Sequence, residues 1–275
     1  MGLLITLLRV LGSWLAGVLP EGSVVTDVVP RTGGQLSSVF EVRRAGADPL
    51  IVKCYAEKWR WKQAKEEWCY RLLARHGIGS VPRVVHVDHE HAATVLTLLP
   101  GRPLSGAALP EEAARTAYRS IGEFLRRIHG IAMPAYGYLT TEVLDPLPDN
   151  AAYMQRQFSR KLSEFAGLGG SDAVHGAVQE RVTAQAPLLV DCRRPVLCHN
   201  DLHEGNVLVD DCGTVTGLVD VENMIAADPL IDLAKTLQYD LSASPAHRAG
   251  LLEGYGPLPD RGEDRLALYR LYHHG

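Results

Sequence analysis

Paired cysteines are missing from this chain. Its five cysteines, Cys54, Cys69, Cys192, Cys198 and Cys212, are odd in number and scattered, with no C-x-x-C pair. That argues against a disulfide framework or a zinc site and predicts reduced thiols in a cytoplasmic protein. A basic stripe is missing too, and a net charge of −4 speaks against a nucleic-acid partner. There is no internal repeat and no low-complexity tract. Nor is there a clean membrane-spanning run. The apolar stretch Gly2–Val18 is interrupted by Thr6, Arg9 and Ser13 and is slightly too short to span. A signal peptide would carry positive charge ahead of its apolar core, and here the first charge falls at residue 9. An apolar helix packed on the first part of the chain is expected, with a membrane-surface or export role as the alternative. What is present is 275 residues, 46% hydrophobic and 22% charged. Such a chain makes one or two globular domains with a sizeable core.

The chemistry is concentrated between Cys198 and Asn223. Asp201 stands five residues before Asn206, and Val207–Val209 then reads as a short apolar strand. Asp210-Asp211-Cys212-Gly213 is turn chemistry, and Thr214–Val219 is a second, largely β-branched strand that ends at Asp220. The hairpin is expected to bring Asp220 back toward the loop of Asp201 and Asn206. A carboxylate base, an amide oxygen and a second carboxylate suit a hydroxyl acceptor and Mg²⁺-bound phosphates. A small hard cation takes oxygen ligands and needs only one or two carboxylates beside phosphate and water. The spacing D-x-x-x-x-N matches a protein-kinase catalytic loop followed by a metal-binding aspartate.

Upstream, residues 21–98 alternate in short β-rich runs around one helix. Val24–Val29 and Val39–Val42 flank a turn with Gly33, Gly34, Ser37 and Ser38, and Leu50–Tyr55 is a strand carrying Lys53. Glycines let backbone N–H groups approach a phosphate, and hydroxyls add donors. A bare β-turn would look the same. Lys58–Ala74 has helical spacing of Trp61, Ala64, Trp68, Leu72 and Leu73, and Gly77, Gly79 and Pro82 stop it. Arg83–Val87 and Ala92–Leu99 read as a hairpin. Pro100-Gly101-Arg102-Pro103 breaks the pattern and sets a boundary between domains 1–99 and 100–275. Beyond it the chain turns helical, most clearly over Pro110–Ile131.

His199-Asn200-Asp201 through Asn206, Val219-Asp220-Val221-Glu222 and Asp228-Pro229-Leu230-Ile231-Asp232-Leu233-Ala234 together resemble the aminoglycoside phosphotransferase family and its choline kinase relatives. The chain departs from that pattern at Asn200, where glycine is usual, and at Val221, where an aromatic is usual. Neither position is a carboxylate or the amide. The resemblance implies an α+β, bilobal protein-kinase-like fold, with a small β-rich N-lobe holding one main helix and a larger, mostly helical C-lobe. It implies that Lys53 contacts the nucleotide phosphates, and that Glu66 pairs with it by the family's E-to-L-A spacing. Glu67 is the alternative; adjacent helical residues point about 100° apart, so only one can face Lys53. It also implies a lobe connector near Thr94–Leu99 whose main chain meets the purine, which leaves ATP and GTP open, and a final helix that in family members often runs on further than the Leu268–Gly275 ending here.

The expected reaction moves a nucleotide γ-phosphoryl group to a hydroxyl. Lys53 holds phosphates, Asn206 and Asp220 hold Mg²⁺, and Asp201 orients the hydroxyl and takes its proton late. The large-lobe insert, about 136–187, is expected to build the acceptor pocket. Its Glu142, Asp145, Asp149, Glu164 and Asp172 suit a cationic aminoglycoside and thus antibiotic resistance, although Arg156, Arg160, Lys161 and Arg181 lie among them. A choline-, sugar- or amino-alcohol-like acceptor is the rival, and an inactive nucleotide-binding scaffold the remote one. Asp228 and Asp232 are expected to brace the loop, and Glu222 to brace it or touch the metal. His86, His89 and His91 are expected on a solvated turn. A monomer and a homodimer are both compatible with the sequence.

Overall fold

The computed structural model describes residues 14, 15, 17–31, 37–239 and 244–274. It divides into two compact units, one of residues 1–100 with 217–222, the other of residues 101–216 with 223–275. The break at Pro100–Gly101 is one residue from the sequence boundary. The short segment Gly217–Glu222 was expected with the second part but counts with the first. The reason is chemical: Asp220 and Glu222 pair with Lys53, and the Leu218 N–H donates to the Ser80 carbonyl.

The first unit is an antiparallel sheet in the order β1-β2-β3-β5-β4, made of β1 (Val25–Arg31), β2 (Ser37–Arg44), β3 (Ala47–Tyr55), β4 (Val84–Asp88) and β5 (Ala93–Thr97). A helix, α1 (Arg60–Arg75), lies between β3 and β4 in the chain. Gly46, in the left-handed region at φ +65°, turns β2 tightly into β3. β3 therefore starts at Ala47, earlier than the sequence suggested. Pro49 lacks an N–H for the ladder, and it sits where the β2–β3 register shifts. Alternation sorts the sheet's faces. Val42, Leu50, Val52, Ala93 and Val95 are buried with Leu15, Val18 and Leu19. The end of the apolar N-terminal stretch is thus part of this core. Its earlier residues lie outside the described ones.

The second unit holds two small sheets. One has the order β11-β10-β6, from β6 (Arg102–Pro103), β10 (Val207–Val209) and β11 (Val215–Leu218), whose last two residues count with the first unit. The other runs β8-β7-β12-β9, from β7 (Tyr136–Leu139), β8 (Val143–Leu147), β9 (Val196–Cys198) and β12 (Ile225–Ala227). Its helices are α2 (Glu111–Ile128), α3 (Asn150–Gly167), α4 (Asp172–Gln185), α5 (Pro229–Tyr239), α6 (Pro245–Tyr255) and α7 (Gly262–His274). Asp228-Pro229 starts α5. The carboxylate caps the Leu230 N–H at 2.9 Å, and proline occupies a position whose N–H would be unused. Among the described residues no helix is long and apolar enough to cross a membrane, and all five cysteines are free thiols.

Helices α2 and α6 pack backbone to backbone, and glycine makes this possible. A Cβ on Gly250 would strike the Arg115 carbonyl, one on Gly254 the Arg119 carbonyl, and one on Gly122 the Leu251 carbonyl. Gly254→Ala should gain about 1 kcal/mol of helix propensity. The collision is with backbone, which cannot swing aside, and overpacking costs about 1–3 kcal/mol or more. The expected result is net destabilisation of about 2 kcal/mol in urea unfolding. A stabilised variant would mean the helices do not meet this closely.

Candidate active site

In the first unit, Lys53 lies mid-strand on β3, opposite Val39 on β2 and Thr94 on β5. Alternation turns it to the face opposite the Leu50–Val52 core and toward α1. Its ammonium is buried and meets Glu66 at 3.0 Å, Asp220 at 3.3 Å and Glu222 at 2.8 Å. Glu67 points away and pairs with Arg71 at 2.8 Å. Burial alone would depress the Lys53 pKa, but the three carboxylates raise it well above the usual lysine value. Glu66, fully enclosed, is pushed up to about 7 by burial, only partly opposed by Lys53. Asp220 is more open, holds a left-handed backbone at φ +65°, and donates its N–H to the Tyr70 hydroxyl at 3.3 Å. A non-glycine residue there stores strain, which the contacts to Lys53 and Tyr70 hold in place.

Ser37 and Ser38 open β2 opposite Tyr55 and Cys54. The alternation that puts Ser37 on Lys53's face puts Ser38 on the other. Gly34 lies outside the described residues.

In the second unit, Asp201 and Asn206 share an irregular loop between β9 and β10. The Asn206 side chain donates to the Asp201 main-chain carbonyl at 2.9 Å, which leaves its amide oxygen for a ligand. One Asp201 carboxylate oxygen accepts from the Asn223 side chain at 2.9 Å, and the other lies 3.5 Å from the Lys235 ammonium. Buried Asp232 pins the loop by accepting the N–H groups of His199 at 2.5 Å and Asn200 at 2.8 Å. His129 supports Asp232 from behind at 3.1 Å. These donors hold Asp232 below the usual aspartate pKa although burial opposes them. Asn200, at φ +60°, is left-handed. Asparagine is among the few non-glycine residues that tolerate this conformation.

His129, Cys198 and Asp232 lie close enough to suggest a metal cluster. Burial raises the Cys198 thiol well above its usual pKa, and His129 already bonds Asp232 and the Tyr255 hydroxyl. The group is a brace. Asp228 is likewise enclosed by Tyr269 at 2.7 Å and Arg265 at 3.1 Å. His91 turns back onto Asp88 at 2.7 Å.

Sequence reading missed Asn223, Lys235, Tyr70 and Lys62, which pairs with Glu222 at 3.3 Å. Lys62 carried a faint signal, since it stands one helical turn before Glu66 on the same face. Lys235 stands one turn beyond Asp232. Asn223 and Tyr70 carried none.

A β-sheet first unit with a lysine–glutamate pair and a mostly helical second unit with a pinned D-x-x-x-x-N loop define a protein-kinase-like phosphotransferase. A family model described as "Phosphotransferase enzyme family" matches residues 27–269, and the chain belongs to that family. Among solved structures, aminoglycoside phosphotransferase APH(4)-Ia, a thermostable mutant in complex with AMP-PNP and hygromycin B, superposes with TM-score 0.69 at 17% identity. The match covers 95% of this chain and 87% of that one. A candidate fructosamine-3-kinase from Thermobifida fusca gives 0.68 at 20% identity, over 95% and 89%. Macrolide 2′-phosphotransferase MphH from Brachybacterium faecium gives 0.67 at 20%, over 97% and 88%. At these identities the likeness speaks to the fold. No curated protein sequence matches significantly.

The raised Glu66 pKa has a testable sign. Folded Glu66 holds its proton up to about pH 7, while the unfolded carboxyl releases it near 4.5. Stability from this group is present at low pH and declines as pH rises through that window. Between pH 5.5 and 7.5 wild type should lose about 2 kcal/mol that Glu66→Gln does not lose. Urea titrations of both proteins at the two pH values measure it, and equal losses would refute the assignment.

Proposed function

We propose that the protein transfers the γ-phosphoryl group of ATP or GTP to a hydroxyl of a small, aminoglycoside-like molecule. The observation that carries this reading is Asp201. It is a partly exposed carboxylate with each oxygen held by a different donor, heading a loop whose backbone Asp232 fixes. Phosphoryl transfer leaves little covalent work for the protein, so positioning and charge neutralisation dominate. Asp201 orients the acceptor hydroxyl and takes its proton as the new P–O bond forms. Lys53 binds phosphate oxygens, exchanging part of its contact with Asp220 and Glu222 for them. Ser37, on the same sheet face, adds a hydroxyl donor, with Gly34 as a backbone donor.

The donors suit Mg²⁺. Carboxylate oxygens of Glu66, Asp220 and Glu222 approach within 4.8 Å of one another, an all-oxygen set of the kind a hard cation prefers. Asp220 and the Asn206 amide oxygen are the groups that would hold it. When bound, the ion neutralises charge on the β- and γ-phosphates.

The acceptor reading draws on the hygromycin B bound to APH(4)-Ia and on Glu142 and Glu164, the exposed acids of residues 136–187 that cap no helix or turn. The likeness to a candidate fructosamine-3-kinase favours a second reading, a metabolic sugar- or amino-alcohol-like acceptor. A nucleotide-consumption screen over aminoglycosides, macrolides, small amino alcohols and glycated amines separates the two.

Asp201→Asn should cut turnover at least a hundredfold while nucleotide still binds in calorimetry. Activity above a few per cent of wild type would remove Asp201 from the base role. Lys53→Ala should raise nucleotide KM and lower kcat together. An unchanged KM would leave Lys53 a purely structural ion-pair partner.

A further inference from the structure

Glu222 is shared by two lysines. Its Oε2 lies 2.8 Å from Lys53 and its Oε1 3.3 Å from Lys62, and all three side chains are buried. Lys62 comes from α1, one turn before Glu66, so the helix that supplies the partner of Lys53 also supplies a second cation. The Lys62 ammonium also lies 5.6 Å from the Trp59 ring and 5.8 Å from the Trp61 ring. Aromatic faces hold a desolvated cation in place without neutralising it. The ion pairs thus set two ammoniums, Lys53 and Lys62, against three carboxylates, Glu66, Asp220 and Glu222, and the buried Lys65 ammonium is near enough to interact with Lys62 and Glu222.

We propose that Lys62 is a positioning residue that acts through Glu222 and makes divalent metal enter this site with the nucleotide rather than ahead of it. The inference rests on the phosphotransferase reading of the site. With Lys62 in place, both Glu222 oxygens are engaged by ammonium groups, and above pH 7, where Glu66 is ionised, the ion-paired groups carry a net charge of only −1. A metal ion arriving alone meets two buried cations and weakly available carboxylates. When nucleotide arrives, its phosphates draw on Lys53. Glu222 is then compensated by Lys62 alone, and carboxylate oxygen becomes available as the metal enters. Without Lys62, Lys53 faces three carboxylates at net −2, and that site attracts a divalent ion with no nucleotide present. Removing one unit charge from a buried cluster is worth roughly a tenfold change in cation affinity or more.

The test is Mn²⁺ binding to the full chain, followed by the free-ion electron paramagnetic resonance signal, with and without AMP-PNP. Lys62→Met should tighten Mn²⁺ binding in the absence of nucleotide about tenfold. The affinity gain that nucleotide confers on the metal should shrink by a similar factor. Lys62→Arg keeps the charge and should behave as wild type. Lys62→Gln, which keeps a donor for Glu222, supplies the same measurement should the methionine variant fail to fold. In a Glu222→Gln background, Lys62→Met should change the Mn²⁺ dissociation constant less than twofold, because the group it acts through is neutral. An unchanged constant for Lys62→Met and Lys62→Gln overturns the proposal, and so does a tenfold shift that persists without the Glu222 charge. Absence of AMP-PNP binding to wild type would sink the phosphotransferase reading instead, while the metal-alone titrations would still decide the role of Lys62.

Discussion

The Lys53 ammonium is the interaction on which the first unit depends. A buried charge with no counter-charge costs several kcal/mol, so wherever β3 places this side chain, carboxylates must follow. Three do, from two places far apart in sequence: Glu66 from α1, and Asp220 and Glu222 from the segment after β11. This requirement draws Gly217–Glu222 into a unit otherwise built from the first hundred residues. It also supports a left-handed aspartate at position 220. Such a network is poor economy as a stabilising device, since an apolar cluster of equal volume would commonly do as well or better.

The second unit applies the same rule to anions. Asp232 and Asp228 are fully buried, and each is surrounded by donors: backbone N–H groups and His129 for the first, Arg265, Tyr269 and a helix N–H for the second. The loop between β9 and β10 has no regular ladder to hold it, so its backbone donors would otherwise need water. Asp232 supplies the acceptors from a helix, which is rigid, and so transfers that rigidity to Asp201. Preorganisation of this kind would spare the proposed reaction the cost of ordering its base.

What the sequence disclosed follows from range. The strand Val207–Val209, the turn at Gly213 and the stop after α1 are local signals, and each stands within a residue or two of where spacing put it. Lys53 and Asp201 stood out because a charged residue flanked by apolar ones in a strand, or a D-x-x-x-x-N spacing, is unusual in one dimension. The partners were less so. Lys62 and Glu222 are 160 residues apart, Tyr70 and Asp220 150. No periodicity links positions at such separations. The glycine contacts of α2 with α6 were hidden for the same reason, since a helical glycine looks in sequence like a mere loss of propensity.

The acceptor is the remaining degree of freedom, because one fold supports many acceptors and only the side chains of the site choose among them. Five acids in residues 136–187 suggested a cation, yet the structure gives three of them other work. Asp149 caps α3 by accepting the Ala152 N–H at 2.8 Å, and Asp172 sits in the first turn of α4, where it complements the helix dipole. Asp145 holds a left-handed turn, with its carbonyl accepting from Arg156 at 2.9 Å. Glu142 and Glu164 remain as exposed acids without such a role, and α4 buries no side chain at all. Two exposed glutamates in high dielectric bind a cation weakly, each pair contributing at most about 1 kcal/mol. Tight selection for an amine-rich acceptor would therefore have to draw on groups close to Asp201, where the field is less screened.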